Sequence, residues 1–384
     1  MRNEKVRTFH LEVLIKICAL LLLAVVACVP NPPVSDSGNR LEPADGVYLG
    51  VNLDWSRITP ADFNAALGHR GAVFVQFYQF PFDDNDFVNL DAAVESVKSE
   101  NGMLMLTLEP WGGLEAVTSE AVAALVDKLA MYNKQGTSIF IRFAHEMNGS
   151  WYPWSQQPSA YIQAFRMFAD AVHQNAPRTA MLWAPNYGGG YPFIGGPFEA
   201  QPANADFTLL DTNQDGRLDM ADDPYGPYYP GDDVVDWVGM TIYHWGSEYP
   251  WGENEIPEAD KFIHQLTGNF SGQNGDDTAL PDFYEVFHTT HRKPVAIPET
   301  AALYNTARPG GPAELEIKQS WWRQVFNAEL LAAYPGIKMI NWFEWEKPEN
   351  EIAGEVIDWR ALGSPEVAAQ FLSDLPLDHL IFAP

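Results

Sequence analysis

The sequence predicts a single (β/α)8 barrel of the α/β class, and three observations carry that expectation. Eight short apolar runs bounded by Gly, Pro or Asn recur along the chain, several of them rich in β-branched residues, as strands buried on both faces require. Helical periodicity fills several gaps, most clearly Ser119 to Tyr132 and Ala160 to Gln174, and strands alternating with helices form parallel βα units. Polar or aromatic residues follow nearly every run, where a barrel keeps its chemistry. A doubly wound open sheet is the structural alternative, but no glycine-rich phosphate loop follows the first run, as that fold's nucleotide sites use.

The runs and their ends can be taken in order. Val47 to Leu53 leads to Asp54 and Trp55, Ala72 to Phe77 to Tyr78 and Gln79, and Met103 to Leu108 to Glu109 and Trp111. Ser138 to Phe143 leads to His145 and Glu146, and Ala180 to Ala184 to Asn186 and Tyr187. Asp236 to Ile242 leads to Tyr243 and Trp245, Pro294 to Ile297 to Glu299, and Ile337 to Phe343 ends among Trp342 and Trp345. Each of these residues alone suits a loop or a helix cap. Together they form one ring around one pit.

Before the first run, Arg2, Lys5 and Arg7 precede an apolar stretch from Leu11 to Ala27, too short for a spanning helix and shaped like an export signal. Residues 1–27 are therefore expected to be a signal peptide. The ending Val25-Val26-Ala27-Cys28 resembles the lipobox of bacterial lipoproteins, which implies lipidation of Cys28, a membrane anchor and a place in the bacterial cell envelope, surface-exposed or facing the periplasm. The chain has two cysteines, and loss of Cys18 with the signal leaves none to pair with Cys28. Residues 28–45 contain Pro, Ser, Asn and Asp without periodicity, as a flexible tether does. Residues 46–384 then make one catalytic domain.

A formal charge of -28 repels polyanions, which excludes nucleic acid and disfavours acidic polysaccharides as partners. A neutral polysaccharide feels no such penalty. Some of the 13 Trp, 15 Tyr and 22 Phe residues belong to the core, but aromatic faces also stack on the apolar faces of sugars.

Cleaving a bond between neutral sugars needs a proton on the leaving oxygen and electron density at the anomeric carbon, which two carboxyls supply. Glu146 and Glu299 end runs that lie across a barrel from each other. Glu146, beside His145, Asn148 and several aromatic rings, suits the acid, because burial and hydrogen bonding raise a carboxyl's pKa. Glu299 suits the nucleophile, with Tyr243 placed to donate to it.

These residues carry a family resemblance. His145-Glu146-Met-Asn148-Gly with Trp151, Trp183-Ala-Pro-Asn186, Tyr-Pro-Gly231 leading through Val235-Asp236-Trp237-Val238-Gly239 to Tyr243, and Pro298-Glu299-Thr300 together resemble glycoside hydrolase family 26, over most of the chain from residue 46. The resemblance implies a retaining (β/α)8 enzyme with Glu146 as acid/base and Glu299 as nucleophile. It also implies His145, Trp151 and Tyr243 around the sugar at the cleavage point, Arg142 beneath the pair, and Trp342 or Trp345 lining the same subsite. Trp111, Asn148, Asn186 and Trp245 complete the expected substrate-binding set. Mannan-cutting members often continue the motif with paired tryptophans and glycine, whereas Trp151-Tyr-Pro-Trp154-Ser is nearer to members that cut mixed-linkage glucan. The expected activity is endo-cleavage of β-1,4 linkages in β-mannan or glucomannan, with mixed-linkage glucan or β-1,3-xylan as alternatives. A surface glycan-binding lipoprotein without turnover is the alternative of another class.

His145-Glu146 also opens a zinc-protease pattern, but Gly149 stands where a second histidine ligand is required. No Gly-x-Ser-x-Gly nucleophile elbow is present. Finally, Asp211, Asn213, Asp215, Arg217 (through its carbonyl), Asp219 and Asp222 follow the spacing of an EF-hand calcium loop, with Gly216 at the turn. A structural Ca2+ clipping a long insertion between the fifth and sixth strands is expected there, with no cofactor in the chemistry.

Overall fold

The structure is a computed structural model and describes residues 38–384 apart from 248, 273, 274, 278 and 309. The expected signal peptide and Cys28 lie outside the described residues. Eight parallel strands close on themselves: β1 (Val47–Leu53), β2 (Val73–Gln79), β3 (Met103–Glu109), β4 (Ile139–Phe143), β5 (Thr179–Trp183), β6 (Trp237–Gly239), β7 (Val295–Thr300) and β8 (Ile337–Glu344). They follow one another around the ring, and β8 returns to β1 through six register pairs from Tyr48–Met339 to Leu53–Glu344. The (β/α)8 barrel read from the sequence is the observed fold.

Period-2 alternation divides each strand between two cores. Tyr48, Val73, Val75, Met105, Phe140, Ala180, Leu182, Trp237, Ala296 and Met339 form the barrel interior. Their neighbours Leu49, Val51, Phe74, Leu104, Leu106, Ile139, Ile141, Val238 and Ile297 pack with helix residues such as Val94, Leu125, Phe165 and Phe168. The interior is tight at Gly50, where a Cβ would meet Oδ1 of Asn341 at 2.1 Å and the Val73 carbonyl at 2.8 Å.

The helices start where the sequence caps them. Thr59 before α1 (Pro60–Leu67) and Asp83 before α2 (Asp84–Ser99) each close a capping box with an aspartate three residues on, satisfying otherwise unpaired N–H groups. Two helices predicted from periodicity appear as α3 (Ser119–Lys134) and α4 (Pro158–Asn175), each slightly longer than its apolar stripe. α5 (Glu314–Val325) covers the β7–β8 side and α6 (Pro365–Asp374) follows β8.

Strand β6 is shorter than its apolar run. Beyond Gly239 the pairing continues through the isolated bridges Asn186–Thr241 and His244–Ala302 and through single backbone bonds such as Ile242 N–H to the Glu299 carbonyl at 3.1 Å, which carries Thr241, Tyr243 and Trp245 to the mouth. After β8 an antiparallel hairpin, Glu346–Glu349 with Glu355–Asp358, leads to Trp359. Among the described residues no helix is long and apolar enough to cross a membrane.

Candidate active site

The floor of the mouth is set by Arg142. It shares the inward face of β4 with Phe140 and is fully buried, so its charge must be matched nearby. One guanidinium nitrogen, Nη1, donates to Oε1 of Glu299, and Nη2 donates to Thr241 Oγ1 at 2.8 Å. From β6, Tyr243 donates its phenol to Glu299 Oε2 at 2.8 Å. Both oxygens of Glu299 are thereby held, and the carboxylate is fixed in direction.

Beyond Phe143 the chain turns sharply through two left-handed residues, Ala144 (φ +45°) and Glu146 (φ +54°). Such backbone costs about 1–3 kcal/mol per non-glycine residue and persists only where the surroundings impose it. Here Ala144 N–H donates to the Leu108 carbonyl, Glu146 N–H to the Ala184 carbonyl, both at 2.9 Å, and Trp154 Nε1 to the His145 carbonyl at 2.7 Å. The turn aims Glu146 into the mouth, where Trp151 Nε1 donates to Oε2 at 3.1 Å. Burial, and then the charge of Glu299, raise the Glu146 carboxyl to about 7, against the opposing pull of Arg142. Two glutamates thus share one electrostatic site, one raised by burial and the other clasped by an arginine and a phenol.

His145 lies behind this pair rather than open in the pit. It is 2 % exposed, its ring lies among Phe77, Tyr152 and Trp154, and Nδ1 has no hydrogen-bond partner. Burial, with the Arg142 charge second, pushes its pKa well below the usual histidine range, so it is neutral. Asn148 is fully buried and spends its amide on the next loop: Nδ2 donates to the Asn186 carbonyl and Oδ1 accepts the Asn186 N–H, both at 2.8 Å. Asn148 and Asn186 therefore meet as a staple between the β4 and β5 ends.

Trp111 is 47 % exposed at the end of β3, with its indole N–H on Glu109 Oε2 at 3.1 Å. Tyr243 and Trp245 pack edge-on against Trp359 at 5.2 and 4.8 Å between ring centroids. Trp345 stacks on Phe343 at 5.8 Å with an interplanar angle of 11°.

Trp342 is a correction. It packs against Trp322, Phe326 and Phe371 in the helix layer and donates to the Trp359 carbonyl. Strand parity explains this: Met339, Asn341, Phe343 and Trp345 share the inward face, so Trp342 points outward. Of the two tryptophans only Trp345 reaches the mouth.

Three residues of the mouth escaped the sequence reading. Thr241 lies two positions before Tyr243 on the same face, a spacing that signals it. Tyr152 stacks on Trp154 at 4.4 Å and was hidden in an aromatic cluster. Trp359 arrives from the C-terminal hairpin, and no local pattern marks it.

The 211–222 loop turns through Gln214 and Gly216 with positive φ. Asp211 accepts the N–H groups of Asp215 and Gly216, while Asp222 accepts those of Thr212, Asn213 and Asp219. The turn matches a cation loop in its carboxylate spacing and its glycine. Among the described residues, however, no three His, Cys, Asp or Glu side chains come together as a metal cage.

Fold and mouth together make a closed parallel barrel with two glutamates at the carboxyl ends of its strands. No protein-family model matches the chain. In sequence it is 24% identical over 340 residues to Endoglucanase H of Acetivibrio thermocellus, across 85% of this chain and 29% of that protein. The chain thus spans less than a third of that relative's length. Among solved structures it is similar to GH26C from a Muricauda species, with a TM-score of 0.54, 13% identity and coverage of 88% and 87% of the two chains. It is likewise similar to an endo-β-1,4-mannanase of Cellulomonas fimi, with a TM-score of 0.52, 16% identity and coverage of 88% and 72%. These likenesses show the barrel fold.

Proposed function

We propose that the protein is a retaining glycoside hydrolase that cleaves β-1,4 linkages within a neutral polysaccharide, β-mannan or glucomannan, by double displacement. One observation supports this above the rest: Glu146 is raised to about 7 while Glu299 is held through both oxygens by Arg142 and Tyr243. A carboxyl that keeps its proton near neutrality serves as the acid for the leaving sugar, and an oriented carboxylate serves as the nucleophile. In the second half of the cycle Glu146, now ionised, takes a proton from the incoming water. Trp151 steadies Glu146 throughout.

A glucan substrate is the second reading. The sequence relative is called an endoglucanase, and Trp151-Tyr-Pro-Trp154 departs from the paired tryptophans of mannan-cutting members. A purely glycan-binding role is less well supported, because a binder has no need of both glutamates. The proposal extends to the expected lipid anchor on Cys28 and to a calcium ion in the 211–222 loop. Mass spectrometry of the mature protein tests the first: a diacyl or triacyl adduct on Cys28 supports it, and an unmodified chain removes it.

The test of the activity is reducing-end release from β-mannan, glucomannan, mixed-linkage β-glucan and β-1,3-xylan, beside Glu299→Ala. Release from one polymer, lost in the variant, names the substrate and supports the pair. Undiminished turnover in Glu299→Ala removes the assigned nucleophile.

A further inference from the structure

We propose that Glu109 is a substrate-contacting, specificity-determining residue: its carboxyl group, with the Trp111 ring beside it, binds hydroxyls of a neutral pyranose adjacent to the cleavage point. The inference rests on the hydrolase reading above and adds a third carboxyl to it.

Strand register places the residue. Thr107 of β3 pairs with Arg142 of β4, and parallel partners point to the same face, so Thr107 lies in the buried layer that holds Arg142. Two residues further, on the same face, comes Glu109, one layer nearer the open end. It is only half-buried, and Trp111 takes Oε2 alone. Among the described residues Oε1 has no hydrogen-bond partner, and it is not one of the fully buried unpaired atoms. A carboxyl with one oxygen anchored by an indole and the other left without a partner suits recognition of a sugar hydroxyl. Trp111 is itself held edge-on by Tyr152 and Trp154, at 5.6 and 5.4 Å between centroids. These are rings that pack on His145, so the unit is built into the wall behind Glu146.

The charged surroundings bear on the same point. Glu299 and Arg142 lie close enough for their charges to act on Glu109, as does Lys347 of the hairpin after β8. Burial raises the Glu109 carboxyl to about 7, opposed by the hydrogen bond from Trp111. In mildly acidic solution the group therefore holds a proton and can donate as well as accept. Where the pH is high enough to ionise Glu109, a uronic acid at this position would set a second carboxylate against it, so the subsite then favours neutral sugars.

A merely structural role, holding Trp111, is distinguishable. Gln still accepts the indole N–H through its amide oxygen, so Glu109→Gln preserves that contact and changes only the group offered to sugar. The test measures binding of mannohexaose and cellohexaose by calorimetry in an inactive Glu299→Ala background, alone and combined with Glu109→Gln, Glu109→Ala, Trp111→Ala or both alanine substitutions. Melting curves for each variant accompany the titrations. The expected result is affinity weakened several-fold by Gln and roughly tenfold or more by Ala at unchanged melting temperature. In the active enzyme KM should rise more than kcat falls. Full affinity in Glu109→Gln, or equal loss in Glu109→Ala and Trp111→Ala with no further loss in the double variant, overturns the proposal. Wild-type inactivity on every polymer would instead count against the hydrolase reading, and is read separately.

Discussion

The phenol of Tyr243 donates to Oε2 of Glu299 at 2.8 Å, while Arg142 holds the opposite oxygen from below. The two donors reach the carboxylate from different strands, so its plane is set by the barrel rather than by its own rotamer. Hydrogen bonds to a charged group contribute about 1.5–3 kcal/mol. Tyr243→Phe removes one donor and leaves the ring packing against Trp359 and Trp245 intact. Its kcat/KM on the preferred polymer should fall roughly 10- to 100-fold, at near-normal melting temperature. A wild-type rate in steady-state assays would remove Tyr243 from the machinery.

Glu146 should set the alkaline limit of activity. Burial and the Glu299 charge raise it to about 7, and glycosidic cleavage needs it protonated. The protonated fraction, and with it kcat/KM, should therefore fall as pH rises through about 7. Glu109 and Glu344 are also raised to about 7, chiefly by burial, so the limb must be assigned with a variant. Glu146→Ala should slow polymer cleavage by about 10²- to 10⁴-fold, much less on an aryl glycoside whose leaving group needs no proton, and should abolish the limb. A persistent limb near 7 in that variant would assign it elsewhere.

Much of this was legible in the sequence, for a physical reason. Strands buried on both faces must be continuously apolar, so all eight barrel strands announced themselves, and Glu146 and Glu299 lay at their ends. What alternation decides was harder to see in runs apolar on both faces. Trp342 and Trp345 look equivalent in the sequence, yet parity sends one outward and the other to the mouth. Asn148 illustrates a different limit. A polar residue in a catalytic motif suggests sugar contact, but only the fold shows that its amide is engaged by the backbone of Asn186. Trp359 was beyond reach, since a hairpin carries it to Tyr243 and Trp245 across a large separation in sequence.

The Asn148–Asn186 staple makes a prediction about stability. Asn148→Ala strips partners from the N–H and carbonyl of Asn186, and unsatisfied groups cost about 1–3 kcal/mol each. The loop ends it joins carry Glu146 and Tyr187. The variant should lose several degrees of melting temperature, and its kcat should fall further than its loss of folded protein explains. A double variant that also truncates Trp151, which holds Glu146 directly, should be less than additive for kcat, since both changes release the same carboxyl.

The loop at 211–222 offers the last test. Asp222 accepts three backbone N–H groups from both arms of the loop, and therefore closes it from within. Calcium recruited there would draw carboxylates from neighbouring turns together and stabilise the folded form by mass action. Millimolar calcium should raise the melting temperature of the wild type by a few degrees relative to chelator, with little change in kcat at a temperature where both forms are folded. Asp222→Ala should lower the melting temperature even in chelator, because the internal latch is lost, and Asp215→Asn should remove the calcium response while sparing the latch. Identical melting with calcium and with chelator would leave the latch as the whole role of the loop. Loss of activity on chelation without loss of fold would place the ion in the chemistry.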